Sequence, residues 1–239
     1  MTGHLTSPLD AQRDVGVVIV AAGSGTRVGG EELKQFRWIA GKPMLLHSVQ
    51  TFMSHPRVCM VVCVLPQRYA GDPPPWLFQC DVDRLLVSIG GRTRSESVAN
   101  GLDDLPDEAR IVLVHDAARP LVGLRTIDRV IDAVEEGTPA IAALPVVDTL
   151  KAVGADGTIA RTVDRDSLWR AQTPQGFPRA MIVDAHRRAR VERVSATDDA
   201  ALCERLGHPV RVVRGSERAL KVTDASDFAR VEALYAVDE

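Results

Sequence analysis

The sequence lacks any apolar run long enough to cross a bilayer; the longest, residues 15–22 and 58–65, are the length of single β-strands. It also lacks a one-sided charge balance. At a formal net charge of −3, no global basic field draws the chain to nucleic acid or to an anionic membrane. Its four cysteines (Cys59, Cys63, Cys80 and Cys203) do not have the spacing of a metal site and fall in or near apolar segments. They read as reduced core thiols, with a cytoplasmic location implied. There is no low-complexity tract and no internal repeat. Residues 1–13 are polar, contain Pro8 and carry no apolar h-region, so a frayed leader is expected there and not a signal peptide. With 239 residues, 45% of them apolar and 26% charged, the chain can bury one sizeable core.

Strand-length apolar runs at 15–22, 58–65, 85–89, 111–115 and 140–145 alternate with helical patterns at 44–53, 94–102 and 125–136. Continuous apolar strands separated by helices predict a mostly parallel sheet covered on both faces, an α/β three-layer fold of Rossmann-like type. The Asp72-Pro73-Pro74-Pro75 segment predicts a loop leading into a short helix. After Pro145 the rhythm changes. Residues 146–153 and 158–163, around Gly154-Ala155-Asp156-Gly157, predict a β-hairpin inserted in the α/β pattern. A ribbon without a core of its own has to pack on something, and a second subunit is the natural candidate. Helices are expected again at 178–190 and 197–206, a strand at 210–213 and a final helix at 224–235. Asp198 and Asp199 are expected to favour the positive end of the helix they open.

The most informative stretch is Ala21-Ala22-Gly23-Ser24-Gly25-Thr26-Arg27, followed by Lys34-Gln35. A buried strand running into a glycine-rich loop marks the ligand-binding edge of an open α/β sheet, where backbone N–H groups cradle anions. A dinucleotide site would require a carboxylate at the end of the next strand, and that strand ends in Leu65-Pro66-Gln67. No Gly-Lys-Ser/Thr follows the glycines, so there is no Walker sequence. Arg27 and Lys34 beside the cradle suit a triphosphate undergoing substitution.

These residues resemble the signature of the sugar-phosphate nucleotidylyltransferases, and within them the 2-C-methyl-D-erythritol 4-phosphate cytidylyltransferases. The resemblance continues in order through Gly90-Gly91 with Arg94 and Ser97, His115-Asp116-Ala117-Ala118-Arg119-Pro120 and Asp148-Thr149-Leu150-Lys151. It runs on through Thr162-Val163-Asp164-Arg165, Gln172-Thr173-Pro174-Gln175 and Thr197-Asp198-Asp199 to Lys221-Val222-Thr223. Leu33 and Arg92 depart from it: relatives commonly have proline before the lysine, and an acidic or polar residue at the second position.

The resemblance implies a nucleotidylyltransferase domain over 14–239 with a dimerisation arm at about 146–168, and an enzyme using CTP, 2-C-methyl-D-erythritol 4-phosphate and Mg2+. It implies CTP contacts from Ala21, Ala22, Gly23, Ser24, Gly25, Gly91, Arg94, Ser97 and Asp116, with Asp116 also the favoured metal ligand. Arg27, Lys34, Arg165 and Lys221 would act on the reacting phosphates. Arg119 and Thr149 would bind the polyol phosphate, Thr149 and Arg165 reaching it across a homodimer by arm exchange. His115 reads as scaffolding behind Asp116. Ribitol-5-phosphate cytidylyltransferase is the nearest alternative, and an NAD(P)-dependent oxidoreductase the alternative from another reaction class.

Overall fold

The structure, a computed structural model, describes residues 12–23 and 33–237. Its strands in chain order are β1 (Val15–Val20), β2 (Trp38–Ile39), β3 (Lys42–Pro43), β4 (Val58–Leu65), β5 (Leu85–Ile89), β6 (Ile111–Asp116), β7 (Ala140–Pro145), β8 (Leu150–Val153), β9 (Ile159–Val163), β10 (Trp169–Pro178) and β11 (Arg211–Arg214). The helices are α1 (Met44–Ser54), α2 (Gln67–Ala70), α3 (Arg94–Asp103), α4 (Leu124–Glu135), α5 (Arg179–Glu192), α6 (Asp199–Arg205) and α7 (Ser226–Tyr235). Seven strands form one sheet in the order β11-β7-β10-β6-β1-β4-β5. All neighbours are parallel except β10, which runs against both β6 and β7.

Strand periodicity explains the layers. In β1, Val15, Val17 and Ile19 join the core formed with α1 and α4, while Val18 points into the core formed with α3 and α5. Each central strand is therefore apolar on both faces, as a sheet covered on both sides requires. The chain leaves β1 for β4 on one side and later returns to β6 on the other. The segment after β1 thus lies at the switch point of the sheet, where the crevice outside the strand ends is open to a ligand. A smaller apolar cluster of Ile39, Met44, Leu121, Val222, Phe228 and Val231 ties α7 and the segment before it to the same end of the molecule.

β10 is a departure from the sequence expectation, which had no strand there. Its composition, Trp-Arg-Ala-Gln-Thr-Pro-Gln-Gly-Phe-Pro, argues against a central strand because proline supplies no N–H to the ladder. The structure accommodates Pro174 in a register irregularity between Ala171 and Gln175 on the β7 side. Gly176 then allows α4 to approach closely, since a Cβ there would stand 2.5 Å from Val130. The hairpin is present as a separate two-stranded sheet, but its first limb begins at Leu150, so residues 146–149 are not strand as expected. Across the hairpin, Lys151 donates from Nζ to Thr162 Oγ1 at 2.7 Å.

Candidate active site

At the carboxyl ends of β1, β5 and β6 lies a cavity of about 550 Å3. Its first wall continues β1. Ala21 still donates to the Val64 carbonyl at 2.9 Å, and its own carbonyl accepts from Gln35 Nε2 at 2.5 Å. The same amide group reaches the Gly23 carbonyl at 3.2 Å. Buried Gln35 therefore ties the two ends of the glycine segment together. Leu33 stands where relatives commonly have proline, and its φ of −62° is the angle a proline would impose. Lys34, next along, donates from Nζ to the Val222 carbonyl at 2.7 Å.

The second wall is Gly90-Gly91 and the start of α3. A side chain on Gly90 would strike Ala22 Cβ, and one on Gly91 would strike Glu96, so only glycine lets these walls approach. Thr93 caps α3 by accepting from the Glu96 N–H at 3.1 Å. Ser97 Oγ donates to the Thr93 carbonyl at 2.9 Å and accepts from the Gly91 N–H at 3.0 Å. Ser97 thus shapes the Gly91 turn from behind. Arg92 reaches over the rim, paired with Glu96.

The third wall is the end of β6 with the Lys221 segment. Asp116 is gripped at both oxygens, by Arg94 Nε at 3.2 Å and by Lys221 Nζ at 2.7 Å. Arg94 also holds Asp199 through Nη1 at 2.7 Å, and Asp199 accepts from His186 Nε2 at 2.9 Å. Burial works against the Asp116 charge, but Arg94 and Lys221 outweigh it and hold the carboxyl far below the ordinary carboxylate range. Burial likewise opposes the Arg94 charge, and Asp199 and Asp116 reverse the effect and raise its pKa.

Behind Asp116, His115 is fully buried, and burial pushes its pKa down to about 4. Its Nε2 lies 3.1 Å from the Arg119 carbonyl, which only accepts, so Nε2 carries the proton. Nδ1 then accepts from the Thr173 hydroxyl at 2.9 Å, and that oxygen accepts from the Asp116 N–H at 3.1 Å. The other residues of the Gln172-Thr173-Pro174-Gln175 segment are braces too. Gln172 pairs with both backbone groups of Ser216. Gln175 accepts from the N–H groups of Asp199 and Ala200 and donates to Asp198.

Among the described residues, the charged side chains lining the cavity are Lys34, Arg92, Arg94 and Lys221 against a single carboxylate, Asp116. A glycine-walled cleft with that balance is built for a polyanion whose charge changes place.

Comparison with known proteins gives the same reading. Residues 15–236 match the family described as IspD, 2-C-methyl-D-erythritol 4-phosphate cytidylyltransferase. The chain belongs to this family. It is 45% identical over 232 residues to the 2-C-methyl-D-erythritol 4-phosphate cytidylyltransferase of Streptomyces coelicolor, covering 92% of this chain and 84% of that protein. It is 38% identical over 216 residues to the bifunctional IspD/IspF enzyme of Desulfotalea psychrophila, covering 90% of this chain but only 55% of that longer protein. Among solved structures, the enzyme of Thermus thermophilus superposes with a TM-score of 0.79 at 35% identity, covering 94% of this chain and all of that one.

Of the residues expected from the IspD resemblance, Ala21, Ala22, Gly23, Lys34, Gly91, Arg94, Ser97, Asp116 and Lys221 come together around the cavity. Ser24, Gly25 and Arg27 lie outside the described residues. Arg119 is not in the lining. Its guanidinium donates to the carbonyls of Ala219 at 2.7 Å and Ala171 at 3.2 Å, bracing the β6 loop against two other segments. Thr149 and Arg165 stand on the exposed arm, away from the cavity of their own chain, with Arg165 donating to the Val147 carbonyl. Asp198 and Asp199 stand at the start of α6 as expected, Asp198 as its cap, accepting from the Ala201 N–H at 3.1 Å, and Asp199 in the first turn with its carboxylate on Arg94 and His186. Gln35, Thr173 and Thr223 are the site residues that the sequence left without a role, and Asp199, expected only at a helix start, is the inner partner of Arg94. Their only signal was membership of the ordered motifs.

Proposed function

We propose that this chain transfers the cytidylyl group of CTP to 2-C-methyl-D-erythritol 4-phosphate, giving 4-diphosphocytidyl-2-C-methyl-D-erythritol and pyrophosphate in the non-mevalonate route to isoprenoids. The observation that carries it is the convergence of Lys34, Arg94 and Lys221 on one cleft at the sheet's switch point, in a chain of the IspD family. The cytosine ring enters the slot between Ala22 and Gly91, whose width is set by Gly90 and by Ser97 behind it. The triphosphate follows the segment that begins at Gly23; roles for Ser24, Gly25 and Arg27 rest on the family resemblance alone.

A phosphate oxygen of the polyol phosphate attacks the α-phosphorus and pyrophosphate leaves. No protein nucleophile or general base is needed, because the attacking phosphate is already ionised near neutral pH. The barrier is electrostatic. Two unit charges at 4 Å interact by about 4 kcal/mol at an effective dielectric near 20. Lys34 and Arg27 hold the charge that develops on the transferring group, while Lys221 places the attacking phosphate. Arg119 keeps the β6 loop in position for the polyol.

Asp116 would hold a magnesium ion arriving on phosphates by giving up one of its cation contacts, to Arg94 or to Lys221; such ions bind through one or two carboxylates and keep their remaining positions for substrate oxygens and water. Asp116 is an ionised oxygen donor on the cavity wall, and no group of three or more His, Cys, Asp or Glu able to hold an ion stands among the described residues. Magnesium, when bound, would supply charge neutralisation to the phosphates.

The arm supports a homodimer. Val147, Val153 and Ile159 are exposed along it, an apolar surface without cover in a single chain, and Thr149 and Arg165 are carried there to reach the partner's polyol phosphate. No helix among the described residues is long and apolar enough to cross a membrane, and a cytoplasmic enzyme acting on small phosphorylated substrates fits this chain. The test is pyrophosphate release with CTP, Mg2+ and, in parallel, 2-C-methyl-D-erythritol 4-phosphate or ribitol 5-phosphate. Release with the first polyol alone is expected; release with ribitol 5-phosphate alone would overturn the substrate assignment.

A further inference from the structure

We infer that His186, on α5 and outside the cavity lining, is a positioning residue for the transfer reaction: it fixes Asp199, which fixes Arg94, which orients Asp116. The inference rests on the cytidylyltransferase reading of the cleft.

The chain of contacts is continuous. His186 Nε2 lies 2.9 Å from Asp199 Oδ1, a carboxylate oxygen that only accepts, so Nε2 carries a proton and donates. The opposite ring nitrogen, Nδ1, faces the Ser95 hydroxyl at 3.4 Å. Asp199 Oδ2 takes Arg94 Nη1 at 2.7 Å, and Arg94 Nε is left to approach Asp116 Oδ1 at 3.2 Å. Asp199 is 1% exposed and His186 5%. Burial at this depth leaves these contacts little screened by solvent, and a donor removed there leaves a carboxylate oxygen to find another partner. Arg94 is already bound to the other oxygen of that carboxylate.

Three facts make this more than packing. First, the Asp199 backbone is anchored by Gln175, which accepts from its N–H at 3.1 Å, so the direction of the carboxylate is set by His186 on one oxygen and Arg94 on the other. Second, Arg94 is divided between two carboxylates, one on the cavity wall and one behind it. How strongly Asp199 competes for the guanidinium decides how firmly Asp116 is held. Third, the Asp116 backbone is fixed independently by Thr173, so the freedom left in this part of the site is the balance between its side chain, Arg94 and Lys221. His186 tunes that balance through a single N–H. Outer partners of this kind orient the groups that meet substrate.

The test compares His186→Leu and His186→Gln in the full-length protein. Leucine fills the ring's space without a donor, whereas glutamine places an amide N–H near the Nε2 position. Steady-state kcat and KM for CTP and for the polyol phosphate are measured alongside thermal unfolding. The expected result is a kcat for His186→Leu about tenfold below wild type, the loss of one hydrogen bond to a charged group, with KM for the polyol phosphate within about twofold. His186→Gln should recover most of the rate. If the two variants have the same kcat, whether both match wild type or both are impaired, the positioning role is wrong. Failure of the wild-type protein to release pyrophosphate would instead remove the functional reading on which the inference stands.

Discussion

Lys221 and Asp116, 105 positions apart in the chain, meet at 2.7 Å across the mouth of the cleft. Val222, buried in the α7 cluster and donating to the Ala118 carbonyl at 2.8 Å, fixes the segment so that Lys221 projects over the cavity. The lysine is 44% exposed and Asp116 13%, but Arg94 still holds Asp116 when Lys221 is removed, which keeps the cost to folding small. Lys221→Met should therefore leave the thermal midpoint nearly unchanged while lowering kcat by roughly a hundredfold, the cost of removing one preorganised group acting on the reacting charges. Steady-state kinetics beside a thermal scan separates the two effects; wild-type turnover would take Lys221 out of the chemistry.

Arg94 behaves differently because its partners are deeper. Replacing it by Met leaves Asp199, 1% exposed, as a buried carboxylate without its guanidinium. Breaking a buried pair from one side costs about 3–5 kcal/mol, so Arg94→Met should lose both activity and stability. A urea titration is the check, with a clear drop in midpoint expected.

The contrast between these two residues shows what the sequence made legible. The strands at 58–65, 85–89 and 140–145 were read to the residue, because mostly apolar strand-length runs mark them off; 58–65 and 140–145 are inner strands, whereas 85–89 is the sheet edge and leaves Leu86 and Ile89 exposed. Of the cleft, Gly23 and Lys34 were legible from a glycine-rich segment that follows a buried strand, whereas Lys221 was legible only through the family resemblance. β10 was not readable: its prolines, glutamines and glycine carry no strand periodicity, and Gln172, Thr173 and Gln175 gain meaning only when Ser216, Asp116 and Asp199 arrive from elsewhere in the chain. The inward turn of Asp199 was hidden for the same reason. Its neighbour Asp198 takes the helix-capping role that either could have filled.

His115 links stability to pH with a definite sign. Its folded pKa of about 4 lies below the ordinary value of 6.5, so on acidification the unfolded chain takes up the proton first. Its contribution is present in full above about pH 6.5 and is lost progressively as pH falls towards 4, amounting to about 3 kcal/mol in all. Unfolding free energy measured by urea between these limits should fall more steeply for wild type than for His115→Gln, which cannot titrate. Equal slopes would place the linkage elsewhere.

The arm makes a separate prediction. Sedimentation at micromolar concentration should give a dimer. Ile159→Glu, which puts a charge at an exposed apolar position of the arm, should shift it towards monomer and depress activity together. Arg165→Ala should leave the dimer intact and raise KM for the polyol phosphate about tenfold, since a charge-assisted contact to phosphate is lost.

The account turns on a phosphate oxygen of the polyol phosphate becoming bonded to the α-phosphorus of CTP as pyrophosphate leaves. The most direct measurement uses 2-C-methyl-D-erythritol 4-phosphate carrying oxygen-18 in its phosphate, followed by mass analysis of both products. All of the label should remain in the diphosphocytidyl product, including the oxygen bridging its two phosphorus atoms, and the pyrophosphate should carry none. Label in the pyrophosphate, or CTP left intact with magnesium and both substrates present, would contradict it.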